Sequence, residues 1–225
     1  VVRLQEAKDN MLALISHEIR TPLNGILGFI DLLRSPGFPS EASAFLVYVE
    51  ESARRLERST RKALDFASWS TGLRRAVPQP YRIQSLLEAA QEQLGWAAGE
   101  GVPVERRGAE ILDTDGELLV QIFRNLLENA AKYGGSFVRV TVSLVREGRW
   151  DVLRFSDDGP GFSDAVLPSL FQPFSTGGIL HHSEGMGLGL ALVDVIMLTL
   201  GGRVEAGNRC GGGAEIRLRF PVRER

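Results

Sequence analysis

Cysteine is nearly absent: Cys210 is the only one in 225 residues. A single thiol excludes an intrachain disulfide framework and a cysteine-only metal site, and reducing, cytoplasmic chemistry is the expectation. A charge surplus is also lacking, since 26 Lys and Arg against 28 Asp and Glu leave a formal net charge of −2. Arg54, Arg55, Arg58, Arg61 and Lys62 are interleaved with Glu50, Glu51 and Glu57, the pattern of a solvated helix face. No nucleic-acid partner is therefore expected. No apolar run approaches the roughly 18–20 residues that span a bilayer, so this segment is not expected to insert into a membrane. The chain opens VVRLQEAKD, with neither an initiator methionine nor a signal peptide. That opening leads us to expect a piece of a larger, cytoplasmic or membrane-bound, protein. His181 and His182 are adjacent and lack the HExxH spacing of a helical zinc site, so no metal is assigned to them.

What is present divides into two patterns. Residues 1–71 read as two long helices. Met11, Leu14, Glu18, Pro22, Ile26, Phe29 or Ile30, and Leu33 trace a stripe along the first. The run SPGFPS at 35–40 ends it, and Ser40 can cap the next helix. Along the second, Leu46, Val49, Ala53, Leu56, Thr60, Ala63 and Ala67 alternate spacings of three and four, as a bundle seam requires. A lone hairpin buries one side of each helix, so pairing of two hairpins into a dimeric four-helix bundle is expected. The alternative is a monomeric hairpin packed on the rest of the chain.

Residues 72–80, with Gly72, Pro78 and Pro80, read as a linker, giving expected domains of 1–74 and 80–225. Beyond it the pattern predicts a helix over 84–98, a strand over 102–107 and a helix over 116–132 capped by Asp115. Hairpin strands follow at 136–145 and 150–156, then a helix at 187–200 and two strands around a glycine turn at 211–213. The expected class is α+β: the hairpin, then an α/β sandwich with helices on one face of a mixed sheet.

Several residues in this second region invite chemistry. Asn125, Asn129 and Lys132 recur at spacings of four and three, with Tyr133 beside them, while Leu118, Ile122, Leu126 and Leu127 take another face. Amide oxygens are hard ligands suited to Mg²⁺, and a lysine one turn on can neutralise phosphate. The plainer alternative is a solvated helix face. Asp157 ends a strand pattern and opens DDGPG; it can accept a hydrogen bond from an exocyclic amine, and Gly159 and Gly161 let backbone approach a planar base. Alone, such a turn is a weak signal. In GMGLGL, Gly185, Gly187 and Gly189 precede a helix whose N-terminus can meet phosphate. The GK[ST] ending of a Walker loop is missing. Between these motifs, QPFSTGGILHHSEG (172–185) reads as a nucleotide lid hinged at Gly177 and Gly178 and anchored by Phe171 and Phe174.

Near the N-terminus, ISHEIRTPLNGI places His17 beside Glu18, with Thr21 one helical turn on and Pro22 after it. A neutral imidazole is a competent nucleophile near pH 7. Glu18 can accept its proton, Thr21 can position a water for the reverse hydrolysis, and Pro22 bends the helix. Read alone, His17 is as easily a surface histidine.

Taken in order, these motifs resemble the catalytic core of the sensor histidine kinases of two-component systems, over about residue 8 to Pro221. ISHEIRTPLNGI is similar to the family's phosphoacceptor box and FRNLLENAAKYGG to its asparagine box. SDDGPGF, LFQPF and GMGLGL are similar to its first glycine, phenylalanine and second glycine boxes. The resemblance implies a dimerisation and phosphotransfer hairpin followed by a Bergerat-type ATP-binding domain. It implies that His17 attacks the γ-phosphate of Mg-ATP and passes the phosphoryl group to an aspartate of a response regulator. By the same resemblance Asn129 is the leading Mg²⁺ ligand, assisted by Asn125. Lys132 meets phosphate, Tyr133 and Phe174 lie near the nucleotide, and Asp157 binds the adenine amine. Gly185, Gly187, Leu188 and Gly189 line the phosphates, Glu18 is the general base, and Thr21 serves phosphatase action.

Two departures stand out. No basic residue lies between Asp164 and His181, where many members carry one that reaches the γ-phosphate; weaker γ-phosphate positioning is expected. Asp194 occupies a helix position where lysine is common, making that surface less attractive to anions. The closeness to hybrid kinases leaves a receiver domain beyond Arg225 open. The rival readings are a degenerate core acting as phosphatase or dimeric scaffold, and a clamp-type ATPase of the same nucleotide-binding class. The latter usually places a catalytic glutamate where Asn125 stands.

Overall fold

The computed structural model describes residues 19, 22–30, 42–70, 75–96, 101–173, 175 and 187–222. Two helices come first: α1, described over 22–30, and α2 (Ala42–Ser70). They run antiparallel. Phe29 stacks on Tyr48 with ring centroids 5.4 Å apart, and one α1 turn earlier a Cβ on Gly25 would sit 3.3 Å from Ser52 Oγ. Advancing on one helix thus matches retreat on the other, and Gly25 permits the close approach. Pro22 is buried at the start of the described run. The outer sides of this hairpin leave Leu23, Leu27 and Leu46 exposed. The far end of α2 behaves differently from a bundle seam: Ala63 and Phe66 are buried in the core of the following unit, where α2 meets α5 (Gly189–Thr199).

That unit continues with β1 (Gln79–Arg82), α3 (Ile83–Gln93), β2 (Val104–Gly108), β3 (Ile111–Thr114), α4 (Gly116–Tyr133), β4 (Val140–Glu147) and β5 (Trp150–Asp157). After α5 come β6 (Arg203–Asn208) and β7 (Ala214–Pro221). The main sheet has the order β2-β4-β5-β7-β6 and is mixed: β2 pairs parallel to β4 and the others pair antiparallel. β1 and β3 form a separate antiparallel ribbon. Strand alternation sends Val140, Val142, Leu144, Leu153 and Phe155 inward, where they meet Leu119, Ile122, Phe123 and Leu127 of α4 and Val193, Ile196 and Met197 of α5. The fold is α+β, with the helices packed over the mixed sheet.

The other face of the sheet carries paired charges. Arg154 binds Glu147 at 2.5 Å, Arg219 bridges Glu147 (3.3 Å) and Glu205 (3.1 Å), and Arg217 binds Glu215 at 2.6 Å. The hydrogen bond from Arg154 holds the Glu147 carboxyl below the ordinary glutamate range. Each exposed pair stabilises little. Val152, the register partner of Arg219, is wholly buried on this face.

Several predicted boundaries move. The helix expected over 84–98 stops at Gln93, because Leu94 caps it and Gly95 turns left-handed at φ +75°. The strand expected from 136 begins at Val140, because the residues after α4 form a turn in which Val138 packs onto Gly134. Gln79 and Pro80, read as linker, belong to β1. The cap predicted at Asp115 is present: its Oδ1 accepts from Leu118 N at 3.2 Å.

Asp194 lies partly buried on α5, and burial pushes its carboxyl above the ordinary aspartate range. A raised folded-state value means that the ionised form costs stability at neutral pH and that the cost disappears as pH falls through the carboxylate range. Asp194→Asn should therefore raise the thermal unfolding midpoint at pH 7, with the gap to the parent narrowing in acid. An equal midpoint at pH 7 would contradict this reading.

Candidate functional site

α4 carries its polar groups at its C-terminal half because its other sides are committed to the core. Asn125 is itself buried, and its Nδ2 donates to Gln121 O at 2.8 Å. That bond fixes the amide and turns Oδ1 toward the N-terminus of α5. A Cβ built on Gly189 would lie 3.3 Å from Asn125 Oδ1 and 3.8 Å from Asn129 Oδ1. Two carbonyl oxygens therefore converge where the glycine turn enters α5, and glycine at 189 keeps the space before them open. Gly187 is left-handed at φ +62°, and Leu188 is buried, anchoring the turn as its N-cap residue. Lys132 and Tyr133 are exposed at the end of α4.

Asp157, at the end of β5, anchors the loop that meets the C-terminal end of α4. Its Oδ1 accepts from Gly159 N at 3.0 Å and from Ala214 N at 3.1 Å. One carboxylate oxygen thus holds the loop together, and Oδ2 takes part in neither bond. The surrounding glycines are steric necessities. A side chain on Gly213 would strike Asp157 O, and one on Gly159 would reach Gly134 Cα at 2.8 Å. Gly161 is left-handed at φ +77° and sits against Asn208. Asp158 fastens the loop to the strand beside it, accepting from Arg139 N at 2.6 Å.

Asn208 was not singled out from the sequence. Its Oδ1 accepts from Phe162 N and its Nδ2 donates to Phe162 O, both at 2.7 Å. A primary amide bonding both polar atoms of one backbone residue replaces a strand partner. It ties the end of β6 to the DDGPGF loop. The only sequence signal was an asparagine at a strand end before a glycine turn, which is too common to mark a site.

The structure thus brings Asn125, Asn129, Gly187, Leu188 and Gly189 together and builds the Asp157, Gly159 and Gly161 loop. His17, Glu18, Thr21, Phe174 and Gly185, with the lid residues 176–184 and their histidines, lie outside the described residues. The donor set in place fits a hard cation, since it offers two neutral amide oxygens. Among the described residues no three His, Cys, Asp or Glu side chains cluster as a metal site. Among those same residues no helix is long and apolar enough to cross a membrane.

A cradle of this type defines a class. Residues 114–224 match the family described as histidine kinase-, DNA gyrase B- and HSP90-like ATPase, so the second unit is an ATP-binding domain. Residues 7–72 match the His Kinase A phospho-acceptor domain. The chain belongs to the sensor histidine kinases and comprises their catalytic core. It is 31% identical to a sensor-like histidine kinase of Rhizobium meliloti, an alignment covering 96% of this chain and 43% of the relative. It is 33% identical to the sensor histidine kinase AruS of Pseudomonas aeruginosa, covering 92% of this chain and 22% of AruS. The chain therefore spans less than half the length of these curated relatives. The histidine kinase AdeS of Acinetobacter baumannii shares the fold, with a TM-score of 0.73 at 19% identity over 92% of this chain and 98% of AdeS. Full-length ShkA, solved with AMPPNP, superposes with a TM-score of 0.64 at 26% identity over 95% of this chain and 45% of ShkA.

Asn208→Ala should lower stability by about 1–2 kcal/mol through its two lost hydrogen bonds. It should also weaken ATP binding, because the loop carrying Asp157 loses its outer fastening. Titration with nucleotide would check this, and unchanged affinity would show that Asp158 and Ala214 suffice.

Proposed function

We propose that this chain is an ATP-dependent protein-histidine kinase that phosphorylates its own His17 and passes the phosphoryl group to an aspartate of a response regulator. The observation that carries the reading is the convergence of the Asn125 and Asn129 oxygens on the glycine turn at Gly189. It occurs in a chain whose first segment matches a phosphoacceptor domain.

In this reading the adenine amine donates to Asp157 Oδ2, the oxygen not used in closing the loop. Tyr133 and Phe174 flank the nucleotide. Lys132 and the turn formed by Gly185, Gly187, Leu188 and Gly189 face its phosphates, with the N-terminus of α5 adding a favourable dipole. Asn129, with Asn125, would hold Mg²⁺, which supplies neutralisation of phosphate charge. His17 then attacks the γ-phosphorus in line. A nitrogen–phosphorus bond forms, the bond to the β,γ-bridging oxygen breaks, ADP leaves, and Glu18 takes the imidazole proton. Thr21 is assigned to positioning water for the reverse hydrolysis. Solution of ShkA with AMPPNP, an ATP analogue, supports the nucleotide assignment by kinship.

A homodimer is part of the proposal. Leu23, Leu27 and Leu46 are exposed on the hairpin of a single chain, and a second hairpin would bury them. The domain division proposed is 1–74 for phosphotransfer and 80–225 for ATP binding.

The chain incubated with γ-labelled Mg-ATP should acquire acid-labile, base-stable label, and His17→Gln should acquire none. Label that survives His17→Gln would sink the reading. A second outcome concerns the lid. Gln172 is exposed beside residues that carry no basic side chain from 165 to 180, so Gln172→Arg should raise the autophosphorylation rate. An unchanged rate would count against a γ-phosphate contact from this position.

A further inference from the structure

The segment that leaves the hairpin is fastened to the helix that carries the amides. Asp115 is buried, and its two carboxylate oxygens do different things. Oδ1 accepts from Leu118 N at 3.2 Å and caps α4; Oδ2 accepts from Val77 N at 3.0 Å, thirty-eight residues earlier in the chain. Ala76 packs against the core beside this bond. Two residues on, β1 begins. Its Gln79 pairs with Thr114, and its Tyr81 ring lies so close to Gly116 that a Cβ there would meet it at 2.8 Å. The linker therefore arrives at the first turn of α4 through a hydrogen bond, a strand pairing and a ring contact in succession. Just before the linker, the last turns of α2 reach α5, where Ala63 and Phe66 are buried. α4 supplies Asn125 and Asn129, and α5 supplies Gly189. The end of α2 thus holds α5 and the linker holds α4.

We infer that Asp115 is a positioning residue: its bond to Val77 sets the attitude of the asparagine helix relative to the phosphoacceptor hairpin. This rests on the kinase reading. A helix is stiff over the ten residues from Asp115 to Asn125, about 15 Å, so displacement of its first turn moves the amides as well. A buried carboxylate oxygen left without its donor is costly, which makes the bond to Val77 hard to open and suits it to holding an orientation.

Two variants cut the bond from opposite sides. Asp115→Asn keeps a good capping residue but can no longer satisfy both Leu118 N and Val77 N. Val77→Pro removes the donor and leaves Asp115 intact. In the 225-residue chain each should lower the rate of His17 phosphorylation at saturating ATP by about tenfold, the scale set by misplaced reacting groups. The KM for ATP should change less than about twofold, since the groups that touch the nucleotide are unaltered. The double variant should be no slower than the slower single variant, because both act through one bond. Rates equal to the parent would overturn the inference, as would a fall accompanied by a matching rise in KM, which would signal damage to the nucleotide site. A parent that takes up no label would instead overturn the kinase reading, and this inference with it.

Discussion

The arrangement depends on how α4 is buried. Leu118, Leu119, Ile122, Phe123, Leu126 and Leu127 are all sealed between α3, α5 and the sheet, so the helix cannot roll. With rotation fixed, Asn125 and Asn129 have one direction left, toward the entry of α5. The buried amide of Asn125 is held by the carbonyl one turn back, and this sets which of its atoms faces the glycine turn. Polar groups in such a setting are costly unless satisfied. In the proposed reading, the remaining amide oxygens are satisfied by the bound cation.

The burial of Asn125 also weighs against the rival ATPase reading. A clamp-type ATPase needs a base at this place to draw a proton from water. An amide has no basic oxygen or nitrogen for that task, and this one already spends a donor on Gln121 O. Removing water activation leaves a site suited to holding a nucleotide for a nucleophile supplied from elsewhere. His17, on a segment that matches a phosphoacceptor domain, is the nucleophile this chain offers.

Much of this was legible from residue order, for identifiable reasons. The cap at Asp115, the helix after it, the hairpin of β4 and β5 and the glycine turn before α5 are local: propensity, alternation and turn chemistry agree there. The β1–β3 ribbon was not legible. QPYR has four residues and a proline, and it is a strand only because Ile111–Thr114 lies beside it. The early stop of α3 depends on the left-handed Gly95, which sequence alone does not separate from a tolerated helical glycine. The motifs around Asp157 suggested a loop near a base, yet the loop's closure by Ala214 N and Asn208 joins residues some fifty positions apart. Tertiary partners of that kind leave no local trace. The strand at the end of the linker was hidden for the same reason, since Gln79 and Pro80 are ordered by Thr114 and Asp113 across the ribbon rather than by their neighbours.

The sheet's open face bears on where a ligand can sit. It carries ion pairs linking Glu147, Arg154, Arg219 and Glu205 across four strands, and Arg217 with Glu215. Such ion pairs keep that face of the sheet wetted. The helix side is also where hairpin, linker and glycine turns meet. In the proposed reading the nucleotide would lie on this side too, so a change in how the end of α2 and the linker sit would be felt at α4 and α5, the two helices that would frame the phosphates.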